Sequence, residues 1–341
     1  MTPAAPSFDI ARTLRTVLLA MLPGIIVAIW FLGPGVLLNI VLAAWFALMF
    51  EASALWLRKL PTRSSDLIPP FEKGGSGGIF RSLINLQDTS TIITALLIAL
   101  ALPPFTSWWI ILLACAAAIL LAKHCFGGLG QNIFNPAMTG YALVLLAFPA
   151  QLAQWPALAQ SLDGYTSATV LDTFKQNHAF TVADWWRTHS QFGQWGGYGW
   201  EWINLAFLGG GLFLLQQKIF SWHIPVAMLT TLGLCAAAFY DNGSSASAGS
   251  PLFHWLSGAT MLGAFFVATD PATAAAKPLG RILYGALIGA LVFSIRHAGH
   301  YADGVAFAVL AANAAALLFD RIDAQTLRRF FKPAGGPTDE H

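Results

Sequence analysis

Thr89-Ser90-Thr91-Ile92-Ile93-Thr94-Ala95-Leu96-Leu97-Ile98-Ala99-Leu100-Ala101-Leu102-Pro103-Pro104 is an uncharged apolar run that opens on hydroxyl residues and stops at a proline pair. It reads as a short membrane crossing, Ser90 to Leu102, where a full one takes about 20 apolar residues. A second short run opens at Ser257-Gly258-Ala259-Thr260 and stops at Thr269-Asp270-Pro271. Interrupted segments at matching positions of two halves point to the internal site of an inverted-repeat membrane protein. The physical reason is that unwound backbone is tolerated at membrane depth only where it lines a cavity.

Outward from these two segments the chain is apolar almost throughout. It is 56% hydrophobic and 10% charged, against roughly 25% charged in a soluble domain. Ten crossings are expected: Leu14 to Trp30, Val36 to Leu57, Ser90 to Leu102, Trp108 to Ala122, Met138 to Phe148, Trp202 to Leu215, Ile224 to Tyr240, Phe253 to Ala268, Ile282 to Ile295 and Val305 to Phe319. Segments of about ten alternating residues, the mark of a membrane barrel, are missing. No small-residue cleavage site follows the first run, so it reads as a permanent anchor. The third and eighth crossings lie five apart and therefore run in opposite directions. Gly127-Gly128-Leu129-Gly130-Gln131-Asn132-Ile133-Phe134-Asn135-Pro136 leads into the fifth crossing, as Gly299-His300-Tyr301-Ala302-Asp303-Gly304 leads into the tenth. The expected fold is an all-α integral membrane protein of two inverted five-helix halves.

Charge gives the orientation. With the N-terminus inside, fifteen of the eighteen basic residues fall on cytoplasmic segments, and only Lys175, Arg187 and Arg296 fall outside. That asymmetry follows the positive-inside rule and puts both termini in the cytoplasm. Trp108, Trp109, Trp155, Trp195, Trp200, Trp202 and Trp255 then gather at the external ends, as an interfacial belt requires. The organisation is a first membrane half over 1–150, an external segment over 151–199, a second half over 200–320 and a cytoplasmic tail over 321–341. Cys115, Cys125 and Cys235 have no metal-type spacing and read as packing residues. The Gly74-Gly75-Ser76-Gly77-Gly78 stretch has neither the preceding strand nor the following Lys-Ser/Thr of a phosphate loop.

The residues with chemistry to offer are few. No Ser/His/Asp arrangement, carboxylate pair or zinc motif stands out, which leaves a hydrolase little to work with. Eight histidines include no convincing mid-membrane pair for haem. Asp270 and Asp303 each adjoin a helix end at an interrupted position, and Glu51 lies deeper in the second crossing. Each reads either as a local cap or structural partner, or as an element of an ion path. The polar segment from Leu162 to Phe174 sits between the two apolar halves on the external side.

Several blocks together carry a resemblance. They are Gly127 to Asn132 with Phe134-Asn135-Pro136-Ala137-Met138, then Ser257 to Phe266, Thr269-Asp270-Pro271, and Asp303-Gly304-Val305-Ala306-Phe307-Ala308-Val309. Over nearly its whole length the chain resembles the RnfD/RsxD membrane proteins of the Rnf/Rsx ion-translocating electron transport complexes. It is more distantly similar to the NqrB component of the sodium-translocating NADH:quinone oxidoreductase.

That resemblance implies a urea-transporter-like fold and FMN joined through its phosphate to a threonine hydroxyl. A flavin transferase installs the group at an Asp-x-x-Ser/Thr-x-Ala-Thr pattern. Asp163, Thr166, Ala168 and Thr169 match in order, making Thr169 the implied acceptor, although Ser167 and Val170 stand where many acceptor segments have Gly and Pro. Ser257-Gly258-Ala259-Thr260 competes on the short pattern but has His254 in the position of the upstream Asp. The resemblance further implies electron passage through this flavin between neighbouring flavin and iron-sulfur subunits, coupled to Na⁺ or H⁺ movement across a bacterial inner membrane. A noncovalent riboflavin among the helices is carried over from some relatives. The implied surroundings are membrane lipid and the other subunits of such a complex, with no nucleic acid. The alternative on the same architecture is a small-solute channel or transporter without a redox group.

Overall fold

The computed structural model describes residues 10–59, 89–127, 130–156, 166–167, 169–176, 180–189 and 191–322. The chain is predominantly helical. Helix α1 (Ile10–Leu32) contains Pro23, and a turn at Gly33, with φ +86°, leads into α2 (Gly35–Lys59). Helix α3 (Thr89–Ala101) is the short third segment, and α4 (Trp108–His124) winds as a π-helix over its last eight residues, Ala117–His124. Asn135 caps α5 (Pro136–Ala147): its side chain accepts from Met138 N–H, and Pro136 takes the first position, where no N–H is needed. A single turn, α6 (Pro149–Leu152), follows.

In the segment read as external, β1 (Trp155–Pro156) pairs antiparallel with β2 (Thr166–Ser167), and two short helices follow, α7 (Val170–Lys175) and α8 (Val182–Thr188). The second half comprises α9 (Trp200–Gln216), α10 (His223–Ala238), α11 (Pro251–Trp255), α12, α13 (Pro278–Ala298) and α14 (Val305–Phe319). Helix α12 is the turn Thr260–Leu262 running on as the π-helical Gly263–Val267.

Helices α1, α2 and α13 are long and apolar enough to cross a membrane. The shorter apolar helices α3, α4, α5, α10 and α14 accompany them. At 1.5 Å per residue, the 13 residues of α3 span about 20 Å, less than a hydrocarbon core of about 30 Å. Leu19, Ile26 and Trp30 on α1, and Val41 and Trp45 on α2, are exposed, as they would be against lipid. Helix α13 packs along α10 through Gly285 and Gly289; a Cβ on either would come within 2.5 Å and 2.4 Å of the carbonyls of Ile224 and Met228. Such small-residue contacts suit helices in lipid, where close backbone approach gives dispersion and weak polar contacts their grip.

Helices α1–α5 and α9–α14 share several contacts in the same order. Helix α2 lies against α4 as α10 lies against α13, α4 meets α5 as α13 meets α14, and α1 touches α3 as α9 touches α12. Across the halves, α1 packs on α9 and α5 on α14.

The structure corrects three expectations. The eighth crossing, given as Phe253 to Ala268, is two pieces, one ending at Trp255 and one starting at Thr260, the Thr at which the short run was read to open. Gly258 has φ +61°, and its missing side chain leaves room for the Asp303 carboxylate, which a Cβ would meet at 2.5 Å. The fourth crossing continues past Ala122 to His124, because Lys123 and His124 are held inside by Glu51. Arg296, counted as an external charge, is buried at the end of α13. The external segment is also more than a polar connection. Val170, Leu171, Phe174, Trp185 and Phe192 form a second apolar core with Phe253 of α11.

Candidate functional site

The site grows from the break between α11 and α12. An interrupted helix frees backbone groups that find no water at membrane depth, so side chains must satisfy them. Asn204 of α9 donates to the Gly258 carbonyl at 2.9 Å and accepts from Met261 N–H at 3.0 Å. Asp303 Oδ2 accepts from Ala259 N–H at 2.8 Å. Arg296 Nη1 donates to the His254 carbonyl at 2.8 Å, and Nη2 to the Ser257 carbonyl at 3.3 Å and to Thr260 Oγ1 at 2.9 Å. The same guanidinium pairs with Asp303 Oδ1 at 3.0 Å, so its buried charge is neutralised.

Beside the break opens a cavity of about 390 Å³, within the range that holds small ligands and cofactors. Its walls are Met138, Tyr141 and Leu145 of α5, Leu262, Gly263 and Val267 of α12, Val305 and Ala306 of α14, and the indoles of Trp155 and Trp200. The two indoles meet edge to face with centroids 5.1 Å apart. Thr169, Asp172, His300, Tyr301 and Asp303 complete the lining.

Thr169 is the N-cap of α7, where its hydroxyl accepts from Asp172 N–H at 3.3 Å. Apolar residues Val170, Leu171 and Phe174 seat this short helix on the external core. Lys175 ties its far end to the membrane body, donating to the carbonyls of Ile295, Gly299 and Tyr301 around the end of α13. A cation is favoured there by the negative end of the helix dipole. Burial pulls the lysine pKa below its ordinary value, and Asp172 acts in the opposite sense.

The residues singled out in the sequence fall as follows. Thr166 contributes backbone to the two-residue ladder opposite Pro156; Asp163 and Ala168 lie outside the described residues. Thr169 is half-buried at the cavity, whereas Thr260 is fully buried, its hydroxyl engaged by two carbonyls and by Arg296. Asp303 lies on the cavity wall and also accepts from Val305 N–H at 3.3 Å. Asp270 lies beyond the end of α12, accepting from Ala272 N–H at 3.1 Å, Thr273 Oγ1 at 3.3 Å and Asn135 Nδ2 at 3.4 Å. Met138 and Val267 of the cavity wall are both hydrogen-bonded to Asn135, the side chain that also donates to Asp270. Glu51 is elsewhere, buried with Lys123 Nζ at 3.0 Å and His124 Nε2 at 3.1 Å.

Sequence reasoning missed Asn204, Arg296 and Tyr141 as site residues. Each is a polar residue in an apolar run, and that signal was available for all three. Trp155 and Trp200 were placed in the interfacial belt. Trp108, Trp195 and Trp202 are exposed as a belt requires, but these two turn to the cavity.

A model of the NQR2, RnfD, RnfE family matches residues 4–328. The chain belongs to that family. Among its relatives, the D component of the ion-translocating oxidoreductase complex of Cellvibrio japonicus is 44% identical, the match covering 91% of this chain and 88% of the relative. The like-named protein of Ectopseudomonas mendocina is 44% identical over 91% and 89% of the two chains, and that of Aeromonas salmonicida 43% over 90% and 91%. Membership of this family and the long apolar helices agree in making the chain a multi-pass membrane protein.

Proposed function

We propose that this chain is the membrane subunit of an ion-translocating oxidoreductase complex, carrying FMN esterified to Thr169 with its ring in the adjoining cavity. The observation that carries the reading is the contrast between the two candidate threonines. Thr169 opens on a cavity of about 390 Å³ walled by aromatic and apolar groups, while Thr260 is sealed and hydrogen-bonded. A soluble transferase reaches the first and not the second.

The residues fit such a group. Thr169 supplies the ester oxygen, Trp155, Trp200 and Leu262 supply flat and apolar wall, and the tie from Lys175 fixes the tether against α13. When bound, the flavin supplies the electron-carrying chemistry, and the protein supplies position and electrostatics. The surrounding side chains hold the site dry and fix its depth in the membrane. Asp270 and Asp303 are the residues we assign to the coupled cation path, supported by the place of Asp303 on the cavity wall and by the Asn135 link from that wall to Asp270.

Two inverted five-helix halves underlie this reading. Their support is the matched helix packing together with two matched clamps: Lys123 at the end of α4 donates to Thr91 at 2.9 Å, and Arg296 at the end of α13 donates to Thr260 at 2.9 Å. On the orientation set by the basic residues, the Lys123 clamp faces the cytoplasm of a bacterial cell, and the flavin-bearing segment faces the periplasm. The flavin and iron-sulfur subunits and the flavin transferase are the proposed partners.

Flavin fluorescence of the denatured protein band, after co-expression with an active flavin transferase, tests the assignment. Wild type and Thr260→Ala are expected to fluoresce and Thr169→Ala to be dark. A dark wild-type band would move the reading to a small-solute passage. For the cation path, Asp270→Asn in the assembled complex is expected to lower ion uptake, and unchanged pumping would remove that residue from it.

A further inference from the structure

Helix α5 turns Met138, Tyr141 and Leu145 to the cavity, at spacings of three and four residues that share one helix face. Tyr141 alone of these carries a polar group. No described residue hydrogen-bonds its hydroxyl, and no described aromatic ring packs against it. Four other polar groups nearby are engaged. Asn204, Thr260, Arg296 and Asp303 satisfy the helix break. Tyr301 packs on Phe307 at 4.8 Å, and the deeper Tyr284 hydroxyl accepts from Asn313 at 2.7 Å. A phenol without a partner is costly away from bulk water, and a molecule in the cavity that accepts its proton would remove that cost.

Depth and surroundings define what the acceptor must be. From Tyr141 to Ala147, the last residue of α5, the helix rises over six residues, about 9 Å. Tyr141 therefore stands nearly two turns inside the end of α5 that leads towards β1, whereas Thr169 opens α7 in the segment beyond it. Between them lie flat aromatic and apolar walls. The ligand that suits this arrangement is a planar ring with hydrogen-bond acceptors on the edge remote from its tether.

We propose that Tyr141 donates a hydrogen bond to an acceptor on the pyrimidine edge of the isoalloxazine ring, making it a positioning residue that also tunes the ring. The proposal rests on the covalent-flavin reading above. Reduction places more negative charge on that edge, so a fixed donor binds the reduced ring more strongly than the oxidised one. Asp303 lies within electrostatic reach of Tyr141, but its ion pair with Arg296 offsets its opposing charge.

The test compares wild type, Tyr141→Phe and Tyr301→Phe, each as full-length flavinylated protein. The readouts are covalent fluorescence after denaturation, the midpoint potential by spectroelectrochemistry, native flavin fluorescence and the melting temperature. Tyr141→Phe is expected to remain fully flavinylated with an unchanged melting temperature, since the lost hydroxyl has no protein partner. Its preference for the reduced ring is expected to fall about tenfold, a drop of about 30 mV for a two-electron couple. Its native fluorescence is expected to rise, because a phenol beside the ring quenches it, and Tyr301→Phe is expected to match wild type. A fully flavinylated Tyr141→Phe with wild-type potential and fluorescence would overturn the role of Tyr141 alone. A wild-type chain without covalent flavin would overturn the flavin reading and this proposal together.

Discussion

Gly258 shows how closely the site depends on single residues. Its φ of +61° and the 2.5 Å that would separate a Cβ from Asp303 Oδ2 leave room for no other side chain. Gly258→Ala is expected to destabilise the protein by about 2 kcal/mol or more, through the left-handed backbone and the displaced carboxylate. A lower melting temperature in detergent would show it, and an unchanged one would mean the break can be rebuilt. Gly258 was visible in the sequence as a glycine inside an apolar run. That Asp303 fills the space beside it was not, since a long stretch of chain, including the whole of α13, separates the two.

At the scale of elements, the external helix α7 and the long helix α13 make the point differently. Lys175 holds α7 to three carbonyls around the end of α13, and hydrogen bonds to a charged group contribute about 1.5–3 kcal/mol. Lys175→Met is expected to speed hydrogen exchange of the α7 amides about tenfold, the equivalent of about 1.4 kcal/mol. Equal exchange rates would show that the apolar contacts of Val170, Leu171 and Phe174 suffice. Gly289→Leu places a side chain where a Cβ already lies 2.4 Å from the Met228 carbonyl. It is expected to force α13 off α10 at a cost of about 1–3 kcal/mol, read as loss of folded protein on size exclusion. The apolar periodicity of α13 and its small residues were legible in the sequence. The external core was not, because α7 and α8 are too short to show a periodicity and their apolar residues are scattered among polar ones.

At the scale of the whole molecule, two clamps stand at the ends of α4 and α13. Lys123 with Glu51, a buried pair, and buried Arg296 with half-buried Asp303 each hold an ion pair against the opening of a short helix. Removing one partner leaves an uncompensated buried charge, which costs about 3–5 kcal/mol. Lys123→Met is therefore expected to lower the melting temperature sharply, and adding Glu51→Gln to recover part of the loss. If the double variant were no more stable than Lys123→Met, the pair would not be coupled.

The sequence by itself determined the membrane environment, the helical class, the uneven distribution of the basic residues, the position of the interruptions and the family blocks. All of these are read from composition, from run length, or from neighbours within a few residues, and hydrocarbon enforces them because unpaired backbone cannot remain there. Only the tertiary structure decided that Thr260 is sealed and Thr169 open, that Arg296 turns inward, and that Tyr141 faces a cavity with its hydroxyl unclaimed. Those facts depend on α5, α9, α12 and α14 meeting around one space. A polar residue in an apolar run signals only that something must satisfy it, and packing between distant helices decides what does.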